Sequence, residues 1–334
     1  MQKHIPKIDI AVFLIIVSVS AMLMHGYFYR VGVPKIGRRM QLHKQIINGT
    51  APFSYHYRTL VPLGAEFLIV RAMTFLPRTP YEKLFLGVYT IYEGMLLVFS
   101  LLMLFLWLHY WFPREQALVG LLFVTSVLPI SLQEHSFHPW SFLEFGLFAA
   151  ALNAMVCNRN RLLMLILAVA YLNKETALFI PLAYIVTKVD IRGLLKREPA
   201  YDWKPIMMSL LLLSECVLIF MTLQLVLGDV PRFAPFYAIT NNLSEYNLFR
   251  LSKNSSLFLG FFWVFAVLGF RYAPPFIKRL SMIIPLFMMA VFIWGQWYEV
   301  RMMIPLYSIL IPLGLFYVFR SERAGSGQAV EEKF

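Results

Sequence analysis

Lys174 and Glu175 stand side by side in YLNKETALFIP, between the apolar stretches LLMLILAVA and ALFIPLAYIV. A charge next to hydrocarbon costs roughly 3 kcal/mol on insertion scales, so a chain that keeps two of them there needs a reason. Other short stretches carry a similar mixture. FSYHYRTLVP holds His56 and Arg58, EHSFHPW holds Glu134, His135 and His138, and QWYEVR holds Glu299 and Arg301. Glu66 and Arg232 complete the set. Arginine and lysine are the side chains that hold anions such as phosphate. Glutamate and histidine are the ones that take a proton from a hydroxyl.

The elements that must position these residues are membrane helices. Of 334 residues 59% are hydrophobic and only 14% charged, where a soluble domain has about a quarter charged. Mean hydropathy is +0.66. The apolar runs are continuous and span-length, which fits helices and not the alternation of an outer-membrane barrel. The fold class read from the sequence is therefore all-α, a polytopic transmembrane bundle of about 10–11 spans with no sizeable soluble domain. Spans are expected near 9–28, 84–109, 117–133, 140–157, 161–173, 176–188, 205–227, 257–271, 280–297 and 302–319, with a weaker apolar stretch at 59–77. Residues 1–320 form one membrane domain, and 321–334 reads as a polar, disordered cytoplasmic tail. The first run lacks a small-residue cleavage site and reads as a span, not a cleavable signal.

The net charge of +12 reflects basic loops, not a nucleic-acid partner: lysine and arginine collect between spans, and no aromatic-rich basic module is visible. The two cysteines, Cys157 and Cys216, make neither a disulfide framework nor a metal cluster. Basic loops at 158–161, 187–204 and 271–279, with Arg320 and Arg323, alternate along the chain and orient it. They place EHSFHPW, the NKET junction, loop 228–256 and QWYEVR on the extracytoplasmic side. The basic stretch 29–58 contains no acid. On the outside it would form a long first loop, with 59–77 interfacial or re-entrant. On the inside it would obey the charge rule and make 59–77 a full span. An anionic lipid-linked ligand would account for the outside placement.

Each stretch also has a plain reading. The Lys174–Glu175 pair could be a polar turn in interfacial water. Glu299 and Arg301 could be rim anchors beside Trp294, Trp297 and Tyr298. NGTAPFSYHYR could be a turn before a helix. In EHSFH, Glu134 and His138 share a helical face, but His135 turns away, so a divalent metal has thin support and no cofactor is called for. Asn48, Asn242 and Asn254 begin glycosylation-type triplets.

Together the four stretches make the chain resemble the GT-C superfamily of integral membrane glycosyltransferases. The shared features are a long first outer loop ending in FSYHYRTLVP, a second outer loop EHSFHPW, the Lys-Glu pair of NKETALFIP at a helix junction, and YEVRMMIPL near the C-terminus. The chain is short for the superfamily and lacks a C-terminal periplasmic domain. The resemblance implies transfer of a sugar from a polyprenyl-phosphate carrier to a glycan, lipid or protein acceptor, with inversion, at the outer face of the bacterial inner membrane. Arg58, Lys174 and Arg301 would hold the phosphate, with His135, His138, Glu175, Arg232 and Glu299 as further binding residues. Superfamily members carry an acid in the first outer loop, and residues 29–58 have none. Glu134 is therefore the first choice as base, with His56 and Glu66 as substitutes. On this reading Glu175 orients Lys174 or bonds a sugar hydroxyl. A flippase or exporter for a lipid-linked or anionic substrate is the alternative, though no internal repeat is visible.

Overall fold

The computed structural model describes residues 8–131, 138–189, 202–228, 235–244, 246–250, 258–297 and 299–320. Among them there are helices and no strand. The elements are α1 (Ile10–Tyr27), which runs on through a π-turn at Phe28–Gly32, α2 (Ile36–Ile47), α3 (Phe53–His56), α4 (Leu60–Phe75), α5 (Tyr81–Trp111), α6 (Arg114–Ser131), α7 (Trp140–Val156) and α8 (Asn160–Asn173). A 3-10 turn at Glu175–Leu178 leads into α9 (Phe179–Lys188), followed by α10 (Lys204–Leu227), α11 (Pro235–Asn242), α12 (Phe262–Gly269), α13 (Pro275–Leu280) and α14 (Ile283–Trp294). A second 3-10 segment, Val300–Leu306, opens into α15 (Tyr307–Val318).

Among the described residues five stretches are long and apolar enough to cross a membrane: Ile10–Gly32, Tyr81–Trp111, Lys204–Leu227, Pro275–Trp294 and Val300–Val318. The expectation was ten or eleven. The difference lies in segments such as α7, α8 and Phe262–Tyr272, which are apolar but shorter than 18 residues. A 14-residue helix such as α8 rises only about 21 Å, short of the ~30 Å hydrocarbon core. The chain is a membrane protein, and where the short α8 stops, at Asn173, the buried Lys174 follows.

The stretch 29–58 is largely helical. Asp9 caps α1 by accepting from the Val12 amide at 2.9 Å and also pairs with Arg114 at the start of α6, which ties those two helix ends together. Helix α2 is amphipathic, burying Arg39, His43 and Ile46. It ends where Asn48 meets Gly49, whose φ of +66° suits glycine, and the Gly49 and Thr50 amides return to Ile46 and Gln45 carbonyls.

Helix α7 is the axis of the bundle. Nearly every residue of WSFLEFGLFAAALNAMV is buried, as expected for a helix apolar all round. Its Gly146 lets α5 approach closely, since a Cβ there would meet Ser100 and Phe99. At the C-terminal end, α12 crosses α15 backbone to backbone: a Cβ on Gly269 would lie 1.8 Å from the Leu313 carbonyl oxygen. Trp107 of α5 donates to the Ser308 carbonyl at 2.7 Å and fixes α15 against the core.

Candidate functional site

Three of the four charged stretches meet around Trp140, the first residue of α7. Its carbonyl accepts from Asn173 Nδ2 at 3.1 Å, which anchors the end of α8 and so the NKET junction. The Arg58 guanidinium lies 5.3 Å from its ring centroid. Tyr55 packs 5.6 Å from the same ring and stacks on His138 at 5.7 Å. His138 in turn meets Trp140 edge-on. FSYHYR and HPW therefore form one aromatic platform with an arginine on it.

The NKET turn supplies the charges. Helix α8 ends at Asn173 because Lys174 turns extended (φ −167°, ψ 140°), and this swings its side chain inward. Its Nζ lies 2.7 Å from Oε2 of Glu144 on α7, and Thr176 donates to the other Glu144 oxygen. Glu175 faces the opposite way and takes a two-pronged bond from Arg58, with Nε at 3.0 Å and Nη2 on the second oxygen. The expected orienting contact of Glu175 on Lys174 is not what forms: that role belongs to Glu144. Burial pulls the Arg58 guanidinium towards neutrality, but Glu175 more than offsets this, and its pKa stands above the ordinary arginine value.

The fourth stretch joins electrostatically. Arg301, in the 3-10 segment before α15, pairs with Glu299 and interacts with Tyr55, Arg58 and Glu144. It is buried, and its Nε has no partner. Arg58, Lys174 and Arg301 each hold their own carboxylate, on Glu175, Glu144 and Glu299. The cluster is charge-compensated as it stands.

His56, on the one-turn α3, is also buried. Its Nε2 is 3.0 Å from the Leu227 carbonyl. A carbonyl can only accept, so Nε2 carries the hydrogen, and Nδ1 of the neutral ring is the basic nitrogen. That Nδ1 is buried without a partner.

Glu66 lies elsewhere, 2.8 Å from Nε2 of His43 on α2. The same imidazole holds the Tyr89 hydroxyl through Nδ1 at 2.8 Å. Glu134, His135 and Arg232 lie outside the described residues. Among the described residues no group of three or more metal-binding side chains gathers. Asn242 uses its amide to cap the end of α14, donating to the Phe292 and Gly295 carbonyls and accepting from Trp297 N. Its triplet therefore serves the fold.

Sequence reasoning missed Glu144, Arg39 and Glu93. The signal was there, since Glu93 and Glu144 are lone acids inside the apolar runs 84–109 and 140–157, and such acids need buried partners. Glu93 finds Arg39 at 2.9 Å, with Tyr27 and Tyr89 rings around the guanidinium.

Beside the charged cluster, an apolar cavity of about 830 Å³ opens between α12, α14 and α15. Its wall includes Trp263, Ile284 and Met288, and also Val300, Met303 and Leu306 of the segment that carries Arg301. Comparison of the chain with protein-family models, with curated proteins and with solved structures finds no match.

Proposed function

We propose that this protein is a membrane glycosyltransferase that moves a sugar from a polyprenyl-phosphate carrier to a glycan, lipid or protein acceptor. The observation that carries the reading is Arg301. It offers a buried Nε–H without an acceptor, on a 3-10 segment that also forms a wall of the large apolar cavity. A lipid phosphate has the two parts such an arrangement matches: a chain for the apolar cavity and anionic oxygens for the guanidinium. Arg58 and Lys174, gathered on the other side of the cluster, complete a cationic site for a phosphate leaving group.

On this reading the donor phosphate exchanges with carboxylates already present. Glu175, with its side chain 58% exposed, is the one that gives way, freeing the Arg58 fork for phosphate oxygens. Glu144 stays and holds Lys174 in place. The acceptor hydroxyl loses its proton to a base as it attacks the anomeric carbon, and the configuration inverts. His56 Nδ1 is the basic nitrogen left available for that step within FSYHYR. Glu134 remains the alternative. The platform of Tyr55, His138 and Trp140 offers flat faces for a sugar ring.

The reading includes a GT-C-like bundle in the bacterial cytoplasmic membrane, with 29–58 on the extracytoplasmic side. The test is sugar transfer by the purified protein from a polyprenyl-phosphate donor, comparing wild type with Arg301→Ala. Product from wild type and none from the variant supports the proposal. Donor binding with no transfer to any acceptor class assigns the cluster to a flippase instead. A cysteine at the exposed Thr50, in a Cys157→Ala, Cys216→Ala background, should react with an impermeant reagent in intact cells. Reaction only after permeabilisation would overturn the sidedness.

A further inference from the structure

A smaller cavity with polar groups in its wall, of about 320 Å³, lies between α2, α4 and the start of α5. It is lined by His43, Lys44, Ile47, Asn48, Glu66 and Tyr81. The floor is ordered: Glu66 holds His43 Nε2, and His43 Nδ1 is engaged with buried Tyr89. The rim is Lys44 and Asn48, both exposed on the last turn of α2. Lys44 Nζ stands 5.7 Å from the Tyr81 ring. The Asn48–Gly49 stop of α2, with Gly49 left-handed, sets where this wall ends.

The chemistry of the lining is specific. Lys44 and Glu66 contribute one charge of each sign. Burial holds the His43 imidazole below its ordinary value, against the pull of Glu66, so it is neutral near pH 7. A phosphate or carboxylate entering here would meet the Glu66 carboxylate, which His43 holds in place, with Lys44 on the exposed rim to offset it. A ligand with several hydroxyls fits better, because it can donate to the Glu66 carboxylate, 29% exposed, and accept from Lys44 and the Asn48 amide. Glu66 lies six residues past Leu60, the first residue of α4, about 9 Å of helix rise from the Arg58 end. That is the length of one or two sugar rings.

We propose that this cavity binds a neutral, polyhydroxylated ring and serves as a remote acceptor subsite. The binding stands on the cavity alone, and only the word acceptor rests on the transferase reading. The probes are methyl glycosides of glucose, galactose, mannose and N-acetylglucosamine, read by saturation-transfer NMR on protein in a detergent without a sugar headgroup and without donor. Wild type should bind at least one glycoside. Asn48→Ala and Lys44→Gln, both at exposed positions that leave the helix packing intact, should each weaken it by about threefold to tenfold, as should Glu66→Gln. Arg159→Gln, at an exposed position before α8, should leave it unchanged. Equal binding in Asn48→Ala, Lys44→Gln and wild type overturns the proposal. So does tighter binding of a sugar phosphate or inorganic phosphate than of the parent glycoside, or no binding of any of the four glycosides. Glycoside binding that survives in a protein unable to transfer sugar from any polyprenyl-phosphate donor removes the transferase reading and leaves the subsite.

Discussion

Lys174 and Glu144 meet inside the bundle, Nζ to Oε2 at 2.7 Å, with side-chain exposures of 2% and 7%. They come from different helices, thirty residues apart. This lysine is therefore no interfacial anchor reaching for water. It is half of a buried ion pair, set where α8 breaks.

Such a pair is costly to split. Lys174→Met leaves the Glu144 carboxylate buried without its ion-pair partner, with the Thr176 hydroxyl still bonded to it, and should destabilise the protein by about 3–5 kcal/mol. Replacing both residues, Lys174→Met with Glu144→Leu, should restore stability to within about 1 kcal/mol of wild type or above it. Thermal unfolding in detergent measures all three proteins. If the single variant melts like wild type, the pair does not form. A stable double variant that transfers no sugar would separate the functional need for Lys174 from its structural one.

Glu175 behaves differently because it is half-exposed and competes for Arg58. Glu175→Gln should cost little stability, since solvent screens exposed pairs. It should raise donor affinity, because the guanidinium no longer has to leave a carboxylate. Arg58→Ala should weaken donor binding by about 1.5–3 kcal/mol, the range for charged hydrogen bonds. Titrating a polyprenyl-phosphate donor against each variant checks both signs. A weaker-binding Glu175→Gln protein would mean that Glu175 contacts the substrate directly.

Much of this was readable from the residues alone. Apolar runs gave the helices, and the junction at NKET fell where α8 ends. Arg58, His138 and Asn173 gather around Trp140, which brings together stretches far apart in the sequence. The pairing was not readable in this way. Neighbours in sequence suggested Lys174 with Glu175, but an extended residue at 174 sends adjacent side chains to opposite sides. Which partner each one meets depends on how α7 packs, and no local pattern encodes that. The lone acids Glu93 and Glu144 were visible as anomalies, and they mark where the buried cations Arg39 and Lys174 had to go.

His43 sets a pH dependence. Burial depresses its pKa despite Glu66, so the folded protein prefers the neutral ring. The unfolded chain takes up a proton as pH falls through about 6.5, and below that the folded state is penalised. Stability should therefore fall between about pH 6.5 and 5 by more in wild type than in His43→Gln, whose amide can still bond both Glu66 and Tyr89. Melting curves at pH 5 and pH 8 give the comparison. Parallel slopes in the two proteins would show that His43 does not carry the effect.

The apolar cavity should set which donors are accepted. Ile284→Trp would fill part of it from the α14 wall. Transfer from a long-chain polyprenyl donor should drop at least tenfold, while a donor cut to one or two isoprene units should be used about as well as by wild type. Competition between the two donors in one assay measures the ratio. An unchanged preference would move the lipid chain to another groove.

The last prediction concerns the proton. His56 donates from Nε2 to the Leu227 carbonyl, which leaves Nδ1 as the only basic nitrogen of the neutral ring. If Nδ1 takes the acceptor proton, His56→Asn should remove transfer by about 10²–10⁴-fold, the contribution of a positioned base. Donor binding should persist, since Arg58, Lys174 and Arg301 are untouched. The asparagine amide stops short of the carbonyl that Nε2 reaches, so His56→Gln, whose amide reaches it, is the companion variant: it should lose turnover equally while keeping the wild-type melting temperature. If His56→Asn keeps wild-type turnover and Glu134→Gln loses it, the base is the carboxylate and His56 only holds the end of α10.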